Sequence, residues 1–353
     1  MRFSLVATLA GLLCLAVLLS AGCGGSDSEP AFEDRPAPPA SSFPSAEGKS
    51  LAEVLNEASA PSTLVVSPTE RVFYSGENRY GFGVFTRSAR EQVADAEVAL
   101  YVSKAPPPGE LPEPKAEGAG QGPAGRLAAA LGNPAHGPFP AEILTLETEP
   151  AFQSRTTADD PDAGKVVYKT SVDFPTDGEW RVGALIREDD TLTATLLPSA
   201  VVGQFEDIPR VGERPPAIHT PTPESVGGDL SKLTTRIPPE TMNEADFAEA
   251  LGEKPIVLLF ATPQFCESRV CGPVVDIAAQ VQRDYGEEVE FIHMEIHNEN
   301  DPAKGVRPQV RAFSLPSEPW LFVIDRNGVV RTEIEGSFSA SELTRAVKGV
   351  TEG

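Results

Sequence analysis

The chain has 353 residues, which is enough for two domains of ordinary size and connecting material. Its formal net charge of -23 at pH 7 argues against a nucleic-acid partner, because phosphate binding needs Lys and Arg to displace counterions. The 34 prolines and 30 glycines cluster along the chain, which indicates that much of it connects folded parts.

The N-terminal stretch has the pattern of a secretory signal. It starts with Arg2, continues with a nearly unbroken apolar run and ends in small residues before Cys23. Residues 1–22 resemble a bacterial lipoprotein signal peptide, although the leucine usual three places before the cysteine lies four places before it, at Leu19. The resemblance implies that Cys23 carries lipid and that the protein is anchored to the cell membrane, facing the extracytoplasmic side. A plain secretory signal and an N-terminal membrane helix are the alternatives.

The next stretch, residues 23–60, is rich in Gly, Ser, Pro and acidic residues and has few apolar ones. Such a composition cannot bury enough apolar surface to fold, so we expect a disordered tether. With Cys14 removed in the signal and Cys23 lipidated, the free thiols are Cys266 and Cys271. Outside the cytoplasm, where disulfides persist, each has the other as its intramolecular partner.

Residues 61–206 consist of short apolar alternations with β-branched and aromatic residues, bounded by turn-forming residues. The pattern predicts an all-β sandwich and resembles immunoglobulin-like extracellular domains. Trp180 follows a turn dipeptide at 177–178, and we expect it to anchor the core. Within this part, residues 105–140 are dominated by Pro, Gly and Ala, which predicts a long flexible insertion between strands.

A second Pro-rich segment, residues 207–240, follows the sandwich. Its X-Pro bonds favour an extended path, so we expect this linker to hold two domains apart. Residues 241–353 then alternate strands and helices, the pattern of a sheet covered by helices. The apolar run 255–262 predicts a central strand buried on both faces. The dipeptide at 327–328 predicts a hairpin.

Three features of the C-terminal part carry a specific resemblance. An apolar strand leads into Phe265 and Cys266, a helix follows the cysteines, and Pro319 opens a strand followed by a hairpin. Together they resemble the α/β thioredoxin-like fold, nearest to the membrane-anchored, extracytoplasmic thioredoxin-like proteins of bacteria. The resemblance implies thiol–disulfide exchange in which Cys266 attacks and Cys271 resolves. It also implies that Pro319 is the cis-proline beside the dithiol and that Phe265 and Glu318 face the incoming partner.

The same resemblance implies partners and a compartment. The partners would be cysteine-containing extracytoplasmic proteins and a membrane electron donor, and no cofactor is expected. The chemistry depends on a thiolate at a helix N terminus, where unsatisfied amides and the helix dipole favour the negative charge.

The spacing of the cysteines departs from the family pattern. Four residues separate them instead of two, and five steps on a regular helix would place their side chains roughly 140° apart, too far for a disulfide. We therefore expect Cys266 to precede the helix. The helix either begins at Pro273, with both cysteines in the loop, or is capped by Ser268 and contains Cys271.

Two further departures concern the surroundings of the cysteines. Phe265 replaces the family's tryptophan, and the strand before it lacks the buried carboxylate that many members use to move protons. Proton transfer would then need Glu267, water or a group of the partner.

Two other functions remain open at this point. Copper-delivery proteins of the same fold use two cysteines and a histidine, which makes Cys266, Cys271 and His297 a candidate copper set, with a plain surface histidine as the alternative for His297. A non-catalytic scaffold or adhesion lipoprotein with a structural disulfide is the other alternative. It accounts equally well for a β-sandwich followed by a cysteine pair that departs from the family pattern. No other metal site is predicted.

Overall fold

The computed structural model of the protein describes residues 32–88, 91–106, 131–266 and 269–352. The predicted signal peptide, the lipidation site Cys23 and most of the predicted insertion lie outside the described residues. Glu267 and Ser268, between the two cysteines, also lie outside them, and the proton-transfer role of Glu267 stays a prediction. Among the residues that are described, no helix is long and apolar enough to cross a membrane.

The fold combines sheets with few helices. The strands are, in chain order, β1 (Ala60–Pro61), β2 (Leu64–Pro68), β3 (Gly76–Thr86), β4 (Glu97–Lys104), β5 (Ala135–Pro140), β6 (Glu142–Thr145), β7 (Val166–Phe174), β8 (Gly178–Glu188), β9 (Thr191–Val202), β10 (Ile256–Phe260), β11 (Glu290–Met294), β12 (Trp320–Ile324) and β13 (Val330–Glu335). The α-helices are α1 (Leu51–Leu55), α2 (Arg155–Ala158), α3 (Phe247–Ala250), α4 (Cys271–Tyr285), α5 (Pro308–Ala312) and α6 (Ala340–Thr351). Short 3-10 helices lie at Ala40–Ser42, Leu230–Lys232, Asn298–Asn300 and Pro302–Lys304.

Strands β1 to β9 form two sheets around a common apolar core. The first sheet has the order β2-β3-β7-β6 and the second has the order β1-β9-β8-β4-β5; the pairs are antiparallel except for β1 with β9. As the alternation of residues along the strands predicts, Leu64 and Val66 of β2 are buried, and Val65 between them is exposed. Trp180 is 2% exposed and its Nε1–H donates to the Thr176 carbonyl at 2.8 Å, which confirms its predicted place in the core.

The predicted tether is wrong for residues 32–60, which fold against the second sheet. Helix α1 has a capping box, in which Ser50 accepts from the Glu53 N–H and the Glu53 carboxylate accepts from the Ser50 N–H. Three apolar side chains of this stretch, Phe43, Leu51 and Val54, are buried in a cluster with β4 and β8. A few well-placed apolar residues are therefore enough to hold a polar segment on a sheet face.

The predicted flexible insertion is also wrong at its C-terminal end. Residues 135–140 form β5, which pairs antiparallel with β4 and occupies an edge of the second sheet. An edge strand tolerates proline because one side of its backbone needs no partner strand, and this explains how Pro138 and Pro140 are accommodated.

The linker 207–240 does not hold two domains apart, because residues 32–353 cluster as one compact unit. The linker supplies buried polar side chains: Arg236 pairs with Asp276 of α4 at 2.8 Å and also donates to the Phe152 carbonyl at 2.6 Å. Its prolines favour an extended backbone. Hydrogen bonds to residues distant in the sequence hold this backbone against α4 and against Phe152.

The C-terminal sheet has the order β11-β10-β12-β13. Strand β10 is parallel to β11 and antiparallel to β12, and β12 is antiparallel to β13. All five residues of β10 are buried, as the apolar run predicts. The two cysteines follow β10, a cis peptide bond joins Glu318 to Pro319 just before β12, and α6 begins after β13 at the capping residue Ser339. This is the arrangement that the thioredoxin resemblance implies.

Apolar side chains cover both faces of this sheet. One face packs against α4 and α6 and the other against α3 and α5. The first of these cores also contains Leu144, Leu146 and Val167 from the sandwich part. The thioredoxin-like part and the sandwich part thus share apolar core, which positions β6 and β7 beside the cysteine-bearing helix.

Candidate functional site

The two cysteines form a disulfide at the start of α4. Their Cα atoms lie 5.8 Å apart, a usual separation for a disulfide. Cys266 lies in the loop before the helix, as expected, and Cys271 is its first residue. Of the two predicted helix starts, the one at Pro273 is therefore wrong, and Pro273 lies within the first turn. The helix contains Cys271, as the other alternative has it, but Val270 and not Ser268 is at the N-cap position. The N-cap residue is Val270, whose side chain makes no capping hydrogen bond to the described residues.

The N terminus of α4 points at the Cys266 sulfur. The Cys271 N–H donates to Cys266 Sγ at 3.3 Å. A backbone amide and the positive end of a 15-residue helix both favour negative charge on that sulfur once the disulfide is reduced. Cys266 is half-buried whereas Cys271 is 0% exposed, so Cys266 is the more accessible of the two cysteines.

The other predicted site residues lie at the same end of the sheet or next to the cysteines. Phe265 is 37% exposed directly before Cys266. Pro319 is buried, and the pairing of Phe260 with Trp320 places it at the end of β12 that adjoins the end of β10 from which the cysteine loop leaves. Glu318 is half-buried before it. The catalytic and substrate-facing roles of these residues stay predictions.

The copper set is not assembled. Within the described part of the chain, which includes Cys266, Cys271 and His297, no group of three His, Cys, Asp or Glu side chains could hold a metal ion. The two sulfurs are bonded to each other, and His297 lies beyond the end of β11, where it pairs through its backbone with Val306.

A buried carboxylate supports the cysteine loop, and sequence reasoning missed it. Glu295 is fully buried just beyond β11 and accepts hydrogen bonds from the N–H and Oγ1–H of Thr235, at 2.5 and 2.7 Å. Thr235 Oγ1 in turn accepts from the N–H of Gln264, two residues before Cys266, at 3.1 Å. The β10 strand lacks an acid, as predicted, but the neighbouring strand end supplies one. The signal available in the sequence was an acidic residue inside a buried apolar stretch.

A second buried pair lies beside this network. His293 Nδ1 is 2.7 Å from Glu240 Oε1, and His293 Nε2 is 3.0 Å from the Ala261 carbonyl oxygen. Burial opposes the charged form of His293, but the charge and hydrogen bond of Glu240 outweigh burial and raise the pKa of His293. Burial likewise opposes ionisation of Glu240, but His293 outweighs it and lowers the pKa of Glu240. Both shifts favour the ion pair of a protonated His293 and an ionised Glu240.

The segment between β6 and β7 packs on the cysteine loop and on the start of α4. The Gly164 N–H donates to the Arg269 carbonyl at 2.9 Å. Thr157 of α2 lies so close to Gly272 that a Cβ there would be 2.8 Å from the threonine hydroxyl. The Ser154 N–H donates to Asp276 of α4 at 3.0 Å. The sandwich part therefore contacts the cysteine loop and the first turns of α4 directly.

Comparisons with known proteins give partial likenesses. No protein-family model matches the chain, and no curated protein matches it. The chain is similar to a putative thiol:disulfide interchange protein DsbE from Chlorobium tepidum, known from a crystal structure. The two sequences are 16% identical, the match covers 40% of this chain and 99% of that chain, and the TM-score is 0.28. A thioredoxin family thiol:disulfide interchange protein from Chlorobium tepidum TLS is similar with 19% identity, 40% and 97% covered, and a TM-score of 0.29.

A third likeness is to a DUF4784 family protein from Bacteroides caccae, with 12% identity, 42% of this chain and 26% of that chain covered, and a TM-score of 0.18. Identities and scores this low carry no argument about function. The chain's own strand order, the placement of the cysteines between β10 and α4, and the cis-proline before β12 are what make its C-terminal part thioredoxin-like.

Proposed function

We propose that this protein is a membrane-tethered, extracytoplasmic thiol–disulfide exchange protein that acts through Cys266 and Cys271. The observation that carries the proposal is the asymmetry of the pair: the accessible sulfur of Cys266 accepts the first amide of α4, while the sulfur of Cys271 is buried behind it. A staple that only stabilises the fold has no need of one accessible sulfur at a helix N terminus.

The exchange follows from that asymmetry. In the reduced protein the Cys266 thiolate attacks one sulfur of a partner's disulfide; the partner's S–S bond breaks, and the leaving sulfur takes the electron pair and then a proton. Cys271 next loses its proton and attacks Cys266, which restores the Cys266–Cys271 disulfide and releases the partner's second thiol. Two electrons and two protons pass to the partner. In the reverse direction a partner thiolate attacks Cys266 and Cys271 leaves.

The remaining parts of the proposal concern the placement of the protein. The lipoprotein-like signal and Cys23 motivate a lipid anchor on the extracytoplasmic side of the membrane, with cysteine-containing proteins and a membrane electron donor as partners. The orders β2-β3-β7-β6 and β1-β9-β8-β4-β5 of two facing sheets support an immunoglobulin-like sandwich. The lipid anchor, the partners and the immunoglobulin-like sandwich are parts of the proposal.

The experiment that tests the proposed function uses the full chain in mild detergent, because Leu144 and Val167 belong to the core behind the cysteines. The reduced protein is mixed with oxidised glutathione, quenched at intervals and analysed by mass spectrometry of its cysteine peptides. We expect a transient glutathione adduct on Cys266, followed by the Cys266–Cys271 disulfide. Thiols that stay unmodified, or an adduct that forms first on Cys271, would contradict the proposal.

A further inference from the structure

A cleft of about 520 Å3 lies between the first sheet of the sandwich part and the cysteine loop. Strands β2 and β3 form one wall, and Arg269 and Val270 form the other. Because these two residues lie between Cys266 and Cys271 in the chain, a molecule bound in the cleft contacts the cysteine loop. The volume is within the range of about 300–1,000 Å3 in which proteins bind small ligands and short segments.

Part of the cleft surface is apolar. The Phe85 ring covers the backbone at Gly83 so closely that a Cβ at Gly83 would be 2.5 Å from the ring. Val65 also lines the cleft and is 37% exposed. Ser337 lines it too, and its buried hydroxyl has no hydrogen-bond partner in the described part of the chain. A ligand here can cover the apolar surface of Val65 and Phe85.

The rim of the cleft is positively charged. It carries Arg71, Arg87 and Arg269, and we call it the arginine cleft for these three residues. Arg71 and Arg87 are exposed and form no ion pair with another described residue, while Arg269 lies 3.4 Å from Asp162. The lining also contains one acidic residue, Asp162. On a chain with a net charge of -23, three arginines against one aspartate in the cleft are a local reversal of charge.

Backbone hydrogen bonds fix both walls. The Arg71 N–H donates to the Glu335 carboxylate of β13 at 2.9 Å, and the Gly164 N–H donates to the Arg269 carbonyl at 2.9 Å. The arginines therefore project from a backbone that is already ordered, which lowers the cost of ordering the site when a ligand binds.

We propose that the arginine cleft binds a short acidic segment of the protein whose disulfide is exchanged at Cys266. The inference rests on the proposed function and names its substrate class. Carboxylates of the segment pair with Arg71 and Arg87, which can bind them in bidentate geometry, and an apolar side chain of the segment covers Phe85. Charge complementarity of this kind raises the association rate and depends on salt.

The test compares two cystine peptides of equal length, one with Glu and the other with Gln on both sides of the disulfide. Their exchange rates with the reduced full chain are measured at low and high salt for the wild type and for Arg71→Gln/Arg87→Gln. The control variant is Arg326→Gln/Arg345→Gln, which removes the same charge from two exposed positions outside the cleft.

At low salt we expect the Glu peptide to react about tenfold faster than the Gln peptide. That advantage should vanish at high salt and in the cleft variant, and should survive in the control variant, while the Gln peptide reacts equally with all three proteins. Equal rates for the two peptides in the wild type, or an advantage that the cleft variant keeps, would overturn the inference.

A second readout separates the cleft from the exchange chemistry. Fluorescence anisotropy of a labelled Glu peptide without cysteines, titrated with the oxidised full chain, measures binding alone. Binding that is lost in Arg71→Gln/Arg87→Gln supports the cleft, and absence of binding to the wild type overturns it. If neither cystine peptide reacts with the wild type, the proposed function is wrong, and the anisotropy still decides about the cleft.

Discussion

Replacing Cys266 with serine is expected to lower the rate of exchange with oxidised glutathione by at least about a thousandfold, because a serine hydroxyl cannot replace the thiolate as nucleophile. The measurement is the rate at which the reduced full chain releases glutathione thiol. Cys271 remains in this variant, but its sulfur is 0% exposed and cannot take over the attack.

The matched control for that experiment is Cys271→Ser. This variant also lacks the disulfide, so the two proteins lose the same covalent constraint and differ in which sulfur remains. Cys271→Ser should still be attacked at Cys266 and should stop at the mixed disulfide, because the resolving sulfur is missing. If Cys266→Ser kept its exchange rate while Cys271→Ser lost it, the roles of the two cysteines would be reversed.

Replacing Glu240 with glutamine is expected to lower the free energy of unfolding by about 3 kcal/mol, because it removes the counterion that offsets the burial of a protonated His293. Urea unfolding of the full chain near pH 5.5 measures the effect. The control is Glu244→Gln, an exposed glutamate in the same segment, which should change the free energy of unfolding by less than about 0.5 kcal/mol.

The pH dependence of that difference follows from the directions of the two pKa shifts. The raised pKa of His293 adds stability that is complete below its ordinary value of 6.5 and is lost as the pH rises through the folded-state pKa. The lowered pKa of Glu240 adds stability that is complete above its ordinary value of 4.5 and is lost as the pH falls through the folded-state pKa. The destabilisation by Glu240→Gln should therefore be largest between these ordinary values, and an effect that stays constant into the alkaline range contradicts a charged pair.

Local patterns predicted those features of the site that depend on neighbouring residues. The apolar run predicted a buried β10, the five-residue step between the cysteines required Cys266 to precede the helix, and the position of Pro319 before a strand matched a cis-proline. The first two inferences need only the periodicity of a strand or a helix, whereas the cis-proline at Pro319 is what the thioredoxin resemblance implies.

Those local patterns do not predict contacts between residues that are distant in the sequence. Glu295 meets Thr235 across 60 residues and His293 meets Glu240 across 53, so the polar support of the cysteine loop is visible only in the fold. The same reason explains the errors over residues 32–60 and the linker 207–240. Low apolar content predicts that a segment does not fold alone, but it says nothing about a surface that the rest of the chain provides.

The midpoint potential of the Cys266–Cys271 couple tests the central claim most directly. It is obtained by equilibrating the full chain in glutathione buffers of known ratio and counting free thiols after alkylation. A working couple with an accessible sulfur at a helix N terminus should lie between about -270 and -120 mV, the range of thiol–disulfide exchange proteins. A value below about -300 mV would mean a structural bridge and would contradict the account, leaving a scaffold stabilised by one disulfide.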